Sequence, residues 1–182
     1  IFGRFYMKYL FYFSLVSLIL LSGFGTAQQP DENTLVIAQS TDASTLDPAN
    51  IGSRTESNIV DHIFGTLYDV HPDGEITPYL AESYTVSEDA TELTFQLREG
   101  LTCHDGEALT SEDVVYSFER AADPANGFTG NTPGFIFSSI GYQGIRADGD
   151  LSVTVTMEKP NDIALGLIAE VYFVQYPAVT QW

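Results

Sequence analysis

The stretch 92-ELTFQLREGLTCHDGEALTSEDVVYSFERAADP-124 changes its periodicity in the middle, and that change decides the architecture. In the first part Leu93, Phe95 and Leu97 alternate with Thr94, Gln96 and Arg98, the period of two of a strand with one buried face. The second part repeats like a helix: Val114, Phe118, Ala121 and Ala122 share one face. Between them, "HDG" (His104 to Gly106) has the composition of a tight turn. "TSED" then opens the helix, with Thr110 as cap and Glu112 and Asp113 at the positive end of its dipole. Such a cap contributes about 1 kcal/mol. Arg120 suits the other end, and Asp123-Pro124 stops the helix.

The same stretch holds the chain's single cysteine beside a histidine and an aspartate. Alternation past a bend at Gly100 puts Cys103 on the apolar side with Leu97 and turns His104 the other way. A zinc site needs three or four converging ligands, and the other histidines, His62 and His71, are expected on a helix and in a turn. A cysteine nucleophile needs a base within reach. Cys103, His104 and Asp105 therefore read as a turn feeding a capped helix, with Cys103 a small buried hydrophobe. The alternative is an exported metal- or thiol-dependent enzyme using these three residues, and their convergence on an ion or an open pocket would favour it.

Working outward, Tyr84 and Val86, "SEDAT" and the Leu93 strand form a hairpin, preceded by a turn at "HPDGE" (His71 to Glu75). From Glu56 to Tyr68, Ile59, Ile63 and Leu67 recur at helical spacing, with Thr55 the expected N-cap. The polar run before it, "STDASTLDPANIGSRT", is a long loop of the kind that carries function. "LVIAQ" (Leu35 to Gln39) predicts a buried strand. On the other side, "ANGFTGNTPGFIFSSIGYQG" (125 to 144) is a loop that either lines a ligand pocket or is pinned to the surface by Phe135 and Phe137. "GIRADGDLSVTVTM" is a second hairpin turning at "DGD", and a helix carrying Ile163, Leu167 and Ile168 begins near Asn161.

Of 182 residues, 44% are hydrophobic and 18% charged, a globular balance with enough apolar material for a core. A net charge of -18 repels phosphate backbones, which argues against nucleic acid as a partner. One cysteine allows no internal disulfide. From Met7, a basic residue (Lys8), an apolar run from Tyr9 to Leu21 and small residues Gly25 and Ala27 make a secretory signal peptide over 1 to 27. The run is short for a span of roughly 20 apolar residues. Phe24 in "LLSGF" occupies the place where a lipobox would need cysteine. Residues 1 to 6, ahead of Met7, read as an over-extended or fragmentary frame.

"TLDPAN", "ESNIVDHIFGTLYDV", "PDGEITPYLAESYTVSEDATELTFQLREGLTCHDGEALTSEDVVYSFERAADP" and "KPND" together resemble the N-terminal part of solute-binding proteins of peptide and nickel ABC importers, the extracytoplasmic family 5 group. The resemblance covers about residues 34 to 176. It implies an α/β fold like that of type II periplasmic binding proteins, with 28 to 182 a truncated first lobe and extra subdomain built of a mixed sheet, β-hairpins and flanking helices. The second lobe would be missing. Two departures are Cys103, where the family usually has an aromatic residue, and Ala90, where it usually has glycine. By similarity, Gly52, Ser53, Arg54 and Thr55, and Phe128, Pro133 and Phe135 of the glycine-rich loop, approach the ligand cleft. The Arg54 guanidinium has two readings, a ligand carboxylate or, favoured, a surface acid of the chain itself. The implied activity is capture of a small solute without covalent change and without a cofactor or metal, followed by delivery to ABC permease subunits. Peptide ranks ahead of nickel or other metal chelates, and the implied full-length protein is a periplasmic monomer.

Overall fold

The computed structural model describes residues 33–173, so the signal-peptide region lies outside the described residues. The chain divides into two compact units, up to Ala38 and from Gln39 onward. In the first, residues 33–38 form no strand, and Leu35, Val36 and Ile37 are exposed. This corrects the buried strand expected at Leu35 to Gln39. No described strand supplies the neighbouring ladder that such an apolar run needs.

The second unit is built on a four-stranded sheet. Its strands are β3 (Ala81–Val86), β4 (Glu92–Leu97), β5 (Tyr142–Ala147) and β6 (Ser152–Met157), ordered β3-β4-β6-β5. A two-stranded sheet pairs β1 (Tyr68–Val70) with β2 (Ile76–Pro78). All strand pairs among the described residues are antiparallel, so the parallel pairing of a mixed sheet is not found there. The predicted alternation holds. Leu93 faces Val155 and Phe95 faces Val153 across β4 and β6, and all four are buried. Thr94 and Thr154 face each other on the opposite side, where their hydroxyls are 2.7 Å apart.

Helix α2 (Ser111–Ala122) covers the apolar side of this sheet with Val114, Phe118 and Ala121, while Ala122 is exposed. The Asp113 carboxylate accepts the Thr110 N–H at 2.7 Å and its hydroxyl at 3.0 Å, which fixes the helix start. Phe118 stacks on Phe137 and Phe173, with ring centroids 5.6 and 6.0 Å apart. Phe137 in turn stacks on Tyr142 at 4.3 Å. Phe137 is thus the residue that pins its loop, whereas Phe135 is exposed. That loop contains short helical turns that composition alone did not indicate: a 3-10 turn Pro124–Asn126, a π-turn Thr132–Ile136 and helix α3 (Phe137–Ile140). Helix α4 (Ala164–Ile168) closes the described chain, with the Asn161 side chain accepting the Ile163 N–H just before it.

Helix α1 (Arg54–Val60) is half the expected length and is capped by Ser53 instead of Thr55. After Val60 the chain makes a turn at residues 61–63 and then leaves the helix. The carbonyls of Gly65, Thr66 and Leu67 accept from Phe173, Leu80 and Tyr79 respectively, and a continuing helix would have withdrawn these carbonyls. His62 therefore lies in the turn after α1 and not on the helix.

Candidate functional site

The loop before α1 is held by its own polar side chains. Buried Glu56 accepts hydrogen bonds from the Ser44 hydroxyl, from the Gly52 N–H at 2.9 Å and from the Ser53 N–H at 3.0 Å. These donors, the Gly52 amide foremost, outweigh the cost of burial and bring the carboxyl down to about 2. Asp47 accepts two bonds from Arg120 of α2, at 2.9 and 2.5 Å. The Arg120 guanidinium also lies 4.8 Å from the centre of the Phe128 ring. Asn50 completes the junction, its side-chain oxygen accepting the N–H groups of Thr129 and Gly130 at 2.9 and 3.1 Å. The Asn131 N–H adds a bond to the Ile51 carbonyl at 2.8 Å. Two loops 80 residues apart in sequence are thereby fixed side by side.

Their junction forms one wall of a cavity of about 870 Å³. Gly52, Ser53 and Arg54 line it together with Asn131 and Thr132, and Asp69, Glu170 and Tyr172 line it as well. No carboxylate pairs with Arg54 among the described residues. The surface-acid partner expected for it is therefore not found. Thr55 instead contacts Thr41, Oγ1 to Oγ1 at 3.3 Å. Phe128 lies against Arg120, Pro133 is half-buried in the π-turn and Phe135 is exposed beside it; none of these three lines the cavity. Sequence reasoning passed over Asp61, Asp69, Thr132, Glu170 and Tyr172. Apart from the Thr-Pro pair that opens the π-turn, nothing local marks them; an isolated bridge from Thr66 to Tyr172 brings the last two to the cavity.

Cys103, His104 and Asp105 all line a second cavity, of about 940 Å³, with Arg120 and Asp47. The expected strand placement of Cys103 and His104 is corrected, because residues 103–106 form a turn and no strand. The cause is a tight hairpin, Thr102 bridging Ala108, in which the Gly106 N–H bonds to the Cys103 carbonyl and Gly106 takes φ +91°. Strand alternation does not survive such a turn. Cys103 is half-buried instead of buried, and burial, with the charges of Asp113 and Asp105, pushes its thiol up, away from the reactive thiolate. Asp105 is spent on the turn itself, accepting the Glu107 N–H at 3.1 Å. No three His, Cys, Asp or Glu side chains among the described residues are placed to hold a metal ion.

Residues 75–181 match the sequence profile of the bacterial extracellular solute-binding proteins, family 5 Middle, and the chain belongs to that family. It is 30% identical over 164 residues to the probable deoxycholate-binding periplasmic protein YgiS of Escherichia coli K12, covering 80% of this chain and 31% of that protein. Among solved structures it is similar to AgaA of A. tumefaciens R10 in complex with agropinic acid, with TM-score 0.67 and 32% identity over 77% of this chain and 28% of that one. Listeria monocytogenes OppA bound to peptide gives TM-score 0.67 and 25% identity, over 75% and 29% of the two chains. The chain thus spans less than a third of the length of these relatives.

Proposed function

We propose that this chain contributes the first lobe of an extracytoplasmic solute-binding component of an ABC importer, capturing a peptide or similar small solute and passing it to membrane permease subunits. The observation that carries the reading is the cavity lined by Gly52, Ser53 and Arg54, which is held open by the Asp47, Asn50 and Glu56 junction instead of being filled by side chains. Family membership supports it, as does the naming of relatives by the solutes they bind. A wall of this kind recognises a ligand through hydrogen bonds without reacting with it, and closure by a second lobe follows from contacts made only in the closed form. Gly52, Ser53 and Arg54 are the proposed first-lobe contacts, and Thr55, which meets Thr41 and not the cavity, is proposed to support them. Phe128, Pro133 and Phe135 belong to the adjoining loop and are proposed to reach the solute from its rim.

The test is release of bound solute from the natively purified protein by denaturation, followed by mass spectrometry. The expected result is a peptide or similar small solute of unaltered mass, retained equally by Cys103→Ala and His104→Ala. Turnover of the solute that either substitution abolishes would replace this reading with the enzyme. Failure to retain any solute would leave a structural module.

A further inference from the structure

Among the described residues every buried serine or threonine hydroxyl bonds within the fold except one. Thr66 donates to the Tyr68 carbonyl at 2.9 Å, Ser111 to the Gly149 carbonyl at 2.6 Å and Ser117 to the Asp113 carbonyl at 2.7 Å, while Thr154 pairs with Thr94 at 2.7 Å. Thr132 is the exception: it is 3% exposed, and its hydroxyl has no partner among the described residues. The oxygen is not sealed inside the fold, and the open space that Thr132 meets is the cavity lined by Gly52, Ser53 and Arg54. A buried hydroxyl without a partner costs stability unless something outside the fold satisfies it.

Local structure explains why the backbone does not. A hydroxyl inside an α-helix reaches back to the carbonyl four residues earlier, as Ser117 does. Thr132 is the first residue of its π-turn, so no helical turn precedes it to offer that carbonyl. Its place is nonetheless fixed on both sides. The Asn131 N–H bonds to the Ile51 carbonyl at 2.8 Å, and the Phe137 N–H bonds to the carbonyl of Thr132 itself. A hydroxyl held in this way needs little further ordering to meet a solute.

The segment that carries it is also free of charge. Residues 124–145 contain no Asp, Glu, Lys, Arg or His, in a chain with 25 acidic residues, and they supply Asn131, Thr132 and Ile136 to the cavity. An ionised solute group pressed against these side chains would lose its water without meeting an opposite charge there; an uncharged oxygen loses less and gains the hydroxyl.

We propose that Thr132 is a specificity-determining residue of this cavity, its hydroxyl donating to an uncharged carbonyl or hydroxyl oxygen of the solute. This rests on the solute-capture reading and deepens it by naming the solute group that the Thr132 wall selects.

The probe is the material that denaturation releases from the natively purified wild-type protein, collected and titrated back by calorimetry into the refolded, solute-free full chain. Thr132→Val keeps the side-chain shape and removes the hydroxyl. It should weaken binding about tenfold, while the urea midpoint of the solute-free protein stays level or rises. Thr132→Ser restores the hydroxyl and should recover that loss. The factor should be the same at low and high salt, because a neutral partner is not screened. Wild-type affinity in Thr132→Val, or equal weakening in both variants, overturns the role of the hydroxyl and leaves solute capture standing. A lower midpoint in solute-free Thr132→Val would mean that the hydroxyl holds the fold, which overturns it as well. A factor that shrinks as salt is added overturns the uncharged partner, and absence of any released material overturns capture and the Thr132 assignment together.

Discussion

Asp47 and Arg120, 73 residues apart in the chain, meet through two parallel hydrogen bonds of 2.9 and 2.5 Å, with their side chains 28% and 15% exposed. The pair joins the long N-terminal loop to the last turn of α2, and the guanidinium extends the join to Phe128. Removing one member leaves the other partly buried and unpaired, so Asp47→Asn or Arg120→Met should each cost about 2–3 kcal/mol in urea unfolding. The double variant should cost less than the sum of the two. Strict additivity would show that the pair does not hold the loop.

Acid should loosen the same junction. The Glu56 carboxyl is held at about 2 by the Gly52 amide first, then by Ser44 and Ser53, against an ordinary value of 4.5. Burial alone would raise the Asp47 carboxyl, but the hydrogen bonds from Arg120 and the Ala49 amide, with the guanidinium charge, bring it below its ordinary value. Both groups bind protons more weakly when folded than when unfolded, so their stabilisation is present in full above the unfolded values. It is lost as pH falls through the folded ones. Unfolding midpoints should therefore drop between about pH 4.5 and 2, and Glu56→Gln should lower stability at pH 7 and flatten that drop. A variant with the wild-type acid profile would place the linkage elsewhere.

Ala90 has φ +53°, in the left-handed region, at the turn between β3 and β4. The turn is otherwise well made: the Ala90 N–H bonds to the Ser87 carbonyl at 2.9 Å, and Asp89 accepts from the Ser87 hydroxyl at 2.7 Å. A Cβ in this conformation costs about 1 kcal/mol or more, partly offset by the smaller entropy of unfolded alanine. Ala90→Gly should raise stability by about 0.5–1 kcal/mol, a melting point about 2–4 °C higher. A lower melting point would mean that the turn tolerates alanine without strain.

The hairpins, their turns and α2 were legible because each is specified by residues close in sequence. The helix after Thr55 was overrun because Ile63 and Leu67 satisfy helical spacing equally well when the chain is extended; only the backbone bonds of residues 65–67 to Tyr79, Leu80 and Phe173 decide the matter. Composition marked the loops around Asp47 and Phe128 as functional ground but could not pair them. Asp47 finds Arg120, and Asn50 finds Gly130, across more than 70 residues. Gly52, Ser53 and Arg54 came from family resemblance. The other lining residues Asp69, Glu170 and Tyr172 had no local signal, since tertiary pairing alone brings them to the cavity.

Gly130 provides the sharpest test of that pairing. A Cβ added there would lie 2.5 Å from the Asn50 carbonyl carbon and 2.6 Å from the Ile51 oxygen, both backbone atoms with no rotamer by which to escape. Gly130→Ala must push the two loops apart and break the Asn50 bonds to Thr129 and Gly130. The expected cost is about 1–3 kcal/mol in urea unfolding, with loss of the solute that the natively purified protein retains. Gly134, four residues on, is the control, because its added Cβ would come no nearer than 3.8 Å to the Thr129 oxygen. Gly134→Ala should leave both stability and solute retention close to wild type. If the two variants behaved alike, close approach of the loops would not be what shapes the cavity.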